Sequence, residues 1–121
     1  MQIYRQVPPY CVHKMGNSKA IKIDFYIPTR TKSGEDIDPK RVDKIIDKIW
    51  PKYQGATKVR GTGYFRSKSG EDEITDSYVL SIITEHDKTT NLHLQHFKQK
   101  IREELHQEAV LITWHYVEEV C

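Results

Sequence analysis

Three residues able to bind an anionic ligand alternate along one short segment of the sequence, at positions Arg60, Tyr64 and Arg66. Side chains two or four residues apart project from the same face of a β-strand. An arginine binds phosphate through parallel hydrogen bonds, and an aromatic ring offers a surface on which a base stacks. The spacing therefore favours a surface that binds a partner or an anionic small ligand such as a nucleotide.

Two further predicted strands add to this surface. In the first strand the apolar residues alternate, so Tyr26 projects from the opposite, outer face of the sheet. On the second strand we place Gly61 and Gly63 toward the helices, which puts the arginines outside. The predicted ligand-binding set on the outer face is Tyr26, Arg60, Tyr64, Arg66 and His115. The alternatives for this face are a homodimer interface and an ordinary solvated sheet surface.

Histidines are the candidate metal ligands. His93 and His96 lie three residues apart on a predicted helix, and His86 precedes that helix. Zinc sites need further ligands in register, and polar pairs at this spacing are routine on solvated helix faces. We therefore predict no metal site and no cofactor, with these three histidines as the weak candidates. We expect Asp24 to form an ion pair with Lys22 or Arg60.

Enzyme motifs are missing from the sequence. It contains no P-loop, GxSxG, CxxC or HExxH pattern. We therefore predict a non-enzymatic binding domain that uses the outer face to bind a partner or an anionic small ligand, and that forms homo-oligomers through a sheet face or a paired edge strand. Two alternatives stay open. One is a small metal-dependent nuclease or phosphotransfer enzyme, suggested by Asp24 and the histidines. The other is an RNA-binding module, suggested by the segment Arg60-Gly61-Thr62-Gly63-Tyr64-Phe65, which is similar to an RNA-recognition strand.

The elements that position these residues alternate in the order strand, helix, strand, strand, helix, strand. Alternating apolar residues predict the strands, and apolar residues at helical spacing predict the helices. Asp38-Pro39 is typical of a helix start, and Ser67-Lys68-Ser69-Gly70 of a hairpin turn. The order predicts a ferredoxin-like α+β sandwich, a four-stranded antiparallel sheet with both helices on one face. The predicted strands are 19–28, 57–66, 76–84 and 109–117. The first predicted helix begins after residue 38 and its end is marked by Pro51 and Gly55, and the second follows a loop at 86–90 and runs to about residue 105.

Length and composition set limits on the class of protein. The 121 residues fit one domain, which we assign to 19–121, preceded by an N-terminal arm at 1–18 that contains Pro8-Pro9. The net charge of +2 is small for a nucleic-acid binder. Apolar runs are too short to span a membrane, and the first residues show no secretory leader pattern, so we predict a cytoplasmic protein without membrane contact.

The second half of the chain resembles a family of small bacterial domains of unknown function with a ferredoxin-like fold. The residues that carry the resemblance are Gly63-Tyr64-Phe65-Arg66, Gly70, Asp76 and Glu104-Leu105-His106-Gln107-Glu108-Ala109-Val110-Leu111. The resemblance spans residues 20–117. The chain departs from the family in having the basic arm at 1–18, and in lacking the signal peptide that many family members carry. It implies the fold and no particular activity.

Overall fold

The fold is taken from a computed structural model that describes residues 20–53 and 55–118. The predicted arm at 1–18 lies outside the described residues. A 3₁₀ turn, Trp50–Lys52, follows the first helix. The elements in chain order are β1 (Ala20–Pro28), α1 (Pro39–Ile49), β2 (Thr57–Arg66), β3 (Asp72–Glu85), α2 (Thr90–Glu104) and β4 (Leu111–Tyr116).

The four strands form one antiparallel sheet in the order β2-β3-β1-β4. The two strands next to each other in the chain, β2 and β3, form a hairpin at one edge. The connections through α1 and α2 bring both helices to one face of the sheet. The predicted ferredoxin-like α+β sandwich is confirmed.

Local chemistry sets where the helices begin and end. The Asp38 carboxylate accepts a hydrogen bond from the Lys40 backbone N–H at 3.0 Å, and Pro39 occupies the first helical position of α1. Before α2, the Asp87 carboxylate accepts from the backbone N–H and the hydroxyl of Thr89, at 2.8 and 2.7 Å. The Thr89 side chain itself forms no capping hydrogen bond to α2.

The core lies between the helices and the inner face of β1 and β3. Phe25 and Phe97 meet edge to face, with ring centroids 6.2 Å apart. Of the residues that the periodicity predicts to be buried, all are buried except Ile112, which is partly buried against the cluster. These predicted residues are Ile21, Ile23, Phe25, Val42, Ile45, Ile49, Leu80, Ile82, Phe97, Ile101, Val110 and Ile112.

The β2–β3 hairpin extends beyond the end of β1. The turn at Ser67–Gly70 forms as predicted, with the Gly70 N–H donating to the Ser67 carbonyl at 3.0 Å. Strand β3 begins at Asp72, four residues before the predicted start, because β2 pairs with it as far as Arg66. Strand β1 ends at Pro28, opposite Ser77. The first five residues of β3 therefore project beyond β1 with β2 alone.

Across residues 20–53 and 55–118, no helix combines the length and the apolar character that a bilayer-spanning segment requires.

Candidate functional site

The two faces of β2 are the reverse of those we predicted from the sequence. Val59 pairs with Val79, and Val79 pairs with Tyr26, so Val59 lies on the outer face. Lys58 lies on the opposite face, where its ammonium group is 2.8 Å from the carboxylate of Asp43 on α1. Alternation along the strand then places Arg60, Thr62, Tyr64 and Arg66 on the helix side. Their predicted position on the outer face is wrong.

The reversal has a physical cause. No residue of β2 is buried, and its apolar residues Val59 and Phe65 lie on the exposed outer face, so the apolar pattern of this edge strand does not mark the side that faces the helices. The glycine at position 63 is explained by the aromatic side chain of Phe65 on the same face. A Cβ atom there would lie 2.7 Å from the Phe65 ring, which therefore packs over the glycine on the outer face.

The outer face of the sheet carries an apolar row that crosses all four strands. Val59 lies opposite Val79, Val79 opposite Tyr26, and Tyr26 opposite Leu111. Val59 and Leu111 at the two ends are 53% and 51% exposed. Next to this row Gly61 and Ser77 form a low stretch, since nothing lies within 4 Å of a Cβ built on Gly61. We call this surface of outward-facing residues the outer sheet face.

Two of the five predicted ligand residues do lie on the outer sheet face, but apart from each other. Tyr26 is level with Leu111, while His115 is level with Lys22. Four residue positions along a strand correspond to about 13 Å. The Lys22 ammonium lies 3.9 Å from the Asp24 carboxylate, so the expected Lys22–Asp24 pair is confirmed. The predicted five-residue set is thus divided between two faces of the sheet.

A cleft of about 950 Å³ opens where β1 ends beside the projecting part of the hairpin. Its walls come from the loop after β1, from both hairpin strands and from Gln107. We call it the hairpin cleft. It is lined by Pro28, Thr29, Arg30, Thr31, Lys32, Arg60, Gly61, Thr62, Glu73, Ile74, Thr75, Asp76 and Gln107.

Hydrogen bonds hold the loop wall of the hairpin cleft in place. The backbone N–H and the hydroxyl of Thr29 both donate to the Asp76 carbonyl, at 3.2 and 2.9 Å. The Lys32 N–H donates to the His106 carbonyl at 3.1 Å, and the Gln107 side-chain amide donates to the Arg30 carbonyl at 2.7 Å. Three separate attachments thus fix the backbone that carries Arg30 and Lys32.

Arg60 and Asp76 form the central ion pair of the hairpin cleft. The Arg60 Nε atom donates to both carboxylate oxygens, at 3.1 and 3.0 Å, and Nη2 donates to Oδ2. The guanidinium lies over the Tyr78 ring, 5.7 Å from its centroid. The hydrogen bond from Arg60 holds the pKa of Asp76 below its ordinary value, assisted by the charge of Arg30.

The three candidate metal-binding histidines, His86, His93 and His96, do not line the cleft. His86 packs against Trp114, with centroids 4.8 Å apart, and its Nδ1 atom is 3.1 Å from the Tyr116 hydroxyl. His93 and His96 lie on α2. Within the described part of the chain, no three histidine, cysteine or acidic side chains converge as metal ligands. The weak candidate set of three histidines is not brought together there.

Several lining residues were missed by sequence reasoning. Arg30, Lys32 and Gln107 come from segments predicted as plain loops, although the mixture of cations and hydroxyls in 29–32 was an available signal.

A second cavity of about 760 Å³ lies between the end of α1 and the start of β2. Trp50, in the 3₁₀ turn, and Lys58, on β2, both line it.

Solved structures with the same fold include proteins of several kinds. A phage SAM lyase in complex with S-methyl-5'-thioadenosine is 16% identical, covers 85% of each chain and has a TM-score of 0.64. CutA1 from Pyrococcus horikoshii is 13% identical over 84% of this chain and 86% of its own, with a TM-score of 0.52. A Bacillus cereus protein related to NIF3 is 10% identical, with a TM-score of 0.54 over 84% of this chain and 26% of its own. At these identities the likeness shows the fold alone.

No protein of curated function matches the chain. The resemblance to a family of unknown function is confirmed at the level of sequence: residues 22–119 match DUF3574, and the chain belongs to this family of proteins of unknown function.

Proposed function

We propose that this protein is a non-enzymatic binding domain that self-associates through the outer sheet face and carries a small anionic ligand. The observation that carries the proposal is the apolar row from Val59 to Leu111, which crosses the sheet in register. Both helices lie on the other side, so no described element covers this row. Apolar side chains in a continuous row are typical of an interface between copies.

The size of the outer sheet face fits an interface with a second copy. Four strands spaced by about 4.8 Å, with a mean length of about ten residues at about 3.4 Å each, give a plan area of about 650 Å². Side-chain relief and the projecting hairpin add to this area. A standard interface buries about 800 Å² on each partner. Gly61 and Ser77 have small side chains and lie next to the apolar row. The apolar row of one copy can therefore pack against these two residues of a second copy.

The neighbouring structures support the ligand part of the proposal. One protein of this fold is described in complex with S-methyl-5'-thioadenosine, an adenosine derivative. A domain of this fold is therefore large enough to hold a nucleoside. For this chain, a small ligand and a cytoplasmic location both remain proposals, and fractionation of the native cells tests the location.

Two matched variants test self-association. Val59→Lys puts a charge into the exposed apolar row, whereas Leu92→Lys makes the same kind of change at a 71% exposed leucine on α2. Neither residue is buried, so we expect both variants to fold as the wild type does. In light scattering at tens of micromolar, the wild type and Leu92→Lys should be oligomeric and Val59→Lys monomeric.

A monomeric wild type at these concentrations would overturn the proposal. An oligomeric Val59→Lys with the mass of the wild type would show that copies meet elsewhere on the molecule.

A further inference from the structure

Three cations and two carboxylates line the hairpin cleft, a small excess of positive charge. Arg30, Lys32 and Arg60 line it together with the carboxylates of Glu73 and Asp76. Arg30 forms a pair with Asp36 at 3.3 Å, on side chains that are both largely exposed. Lys32 has no ion-pair partner in the described part of the chain. Exposed pairs of this kind contribute little free energy, so an incoming anion can compete for their cations.

Arg60 keeps donor capacity in spite of its pair with Asp76. Its Nε and Nη2 atoms are engaged by the carboxylate, while Nη1 makes no hydrogen bond to any described residue. A guanidinium has five N–H donors in a fixed plane. The ring of Tyr78 and the Asp76 carboxylate hold that plane, which lowers the entropy lost when Nη1 binds an oxygen atom.

An apolar wall continues the hairpin cleft along the same face. Tyr64 lies directly opposite Ile74, and the two side chains are 76% and 71% exposed. Ile74 lines the cleft itself, and Tyr64 shares the strand face of Arg60 at a distance of four residues, about 13 Å. A ligand bound at the cations can extend along the strand to this wall. An exposed tyrosine is a ready stacking surface for a planar group.

We infer that the hairpin cleft binds a small phosphate monoester that carries a planar ring, the chemistry of a nucleoside monophosphate. The phosphate lies among Arg30, Lys32 and Arg60, and the ring lies on Tyr64 and Ile74. The Asp76 carboxylate is available to accept hydrogen bonds from sugar hydroxyls. The inference names the ligand class and site of the binding domain proposed above, but the cleft is built within one chain.

The test uses adenosine 5'-monophosphate, inorganic phosphate and adenosine as probes in calorimetry and in amide NMR titrations at low salt. Adenosine 5'-monophosphate should bind most tightly, and the shifted amides should lie in 29–32 and 60–64. Lys32→Gln and Arg60→Gln should each weaken its binding about 10- to 100-fold, the effect of losing one charge-assisted hydrogen bond. The matched control is Lys44→Gln, an exposed lysine on α1 outside the cleft, which should bind as the wild type does.

Tyr64→Ala separates the two halves of the site. It should weaken the binding of adenosine 5'-monophosphate at least five-fold and leave that of inorganic phosphate unchanged. Unchanged affinity in Lys32→Gln and Arg60→Gln would overturn the inference. So would binding of a single-stranded RNA without binding of the monophosphate.

The same titration on Val59→Lys distinguishes this inference from the proposed self-association. If Val59→Lys behaves as the wild type in mass but its cleft binds the monophosphate, only the proposed interface fails. If Val59→Lys is monomeric and neither protein binds the monophosphate, only the cleft inference fails.

Discussion

The outer sheet face and the hairpin cleft are built from alternate residues of the same strand. On the outer side of β2, Val59 joins an apolar row that crosses the sheet in register. On the other side, Arg60 joins an ion pair beside loop cations. The outer sheet face suits a second protein surface, and the cleft suits a small charged molecule. A single edge strand therefore presents two different surfaces because its two faces have different chemistry.

The five predicted ligand residues are divided between the outer sheet face and the cleft side of the sheet. Tyr26 and His115 belong to the flat outer sheet face, where Lys22 is already close to Asp24. Arg60 and Tyr64 belong to the cleft side, and Arg66 is held near the hairpin turn by Asp72 at 2.9 Å. The prediction placed Arg60, Tyr64 and Arg66 on the wrong face because the assumed phase of β2 was displaced by one residue.

The largest expected change in the free energy of unfolding distinguishes a residue on the inner face of β1 from one on its outer face. Phe25→Ala should destabilise the fold by about 3–5 kcal/mol because it removes a fully buried ring and its contact with Phe97. Tyr26→Ala, one residue along, should cost about 1 kcal/mol or less in a monomeric background such as Val59→Lys. Chemical denaturation of both variants checks this, and similar losses would contradict the assignment of the two faces.

The next effect compares two glycines of β2. Gly63→Val should cost about 1 kcal/mol because its Cβ would lie 2.7 Å from the Phe65 ring and 2.9 Å from the Thr75 hydroxyl, two exposed side chains that must rotate away. Gly61→Val should be neutral or stabilise the monomer by up to about 1 kcal/mol, because its Cβ has open space and glycine weakens a strand. Thermal unfolding measures the pair. Equal effects would show that Phe65 does not lie over Gly63.

A smaller effect concerns acid. Arg60 lowers the pKa of Asp76 in the folded protein relative to the unfolded value of about 3.9. The unfolded chain therefore binds this proton first, so the stabilisation is present above pH about 4 and is lost as pH falls through the folded pKa. Asp76→Asn should flatten the fall in stability below pH 4, whereas Glu35→Gln, an exposed control outside the cleft, should change it less. Identical acid profiles for Asp76→Asn and the wild type would contradict the ion pair.

The smallest effect is expected at Arg66. It pairs with Asp72 on side chains that are about three-quarters exposed, so Arg66→Ala should change the free energy of unfolding by less than about 0.5 kcal/mol. It lies six residues beyond Arg60, so affinity for adenosine 5'-monophosphate should stay within about two-fold. A ten-fold loss measured by calorimetry would extend the site toward the turn and restore the predicted role of this arginine.

The periodicity of apolar residues in the sequence was sufficient to predict the type and the buried face of β1, α1 and α2. The apolar stripes of β1, α1 and α2 mark the core, and Asp38-Pro39 marks the start of α1, because burial and capping act locally and leave a pattern in the residue types. The order of these elements then leaves few compact arrangements, of which the ferredoxin-like sandwich is one.

Tertiary structure alone decided which residues form the outer sheet face and the hairpin cleft. Strand β2 buries no residue, so its register with β3, and not its own pattern, determines which face Arg60 and Tyr64 occupy. The hairpin cleft exists because β1 stops at Pro28 while β3 continues, and long-range hydrogen bonds bring the 29–32 loop and Gln107 beside it. Such contacts join residues distant in the chain, and no local spacing in the sequence records them.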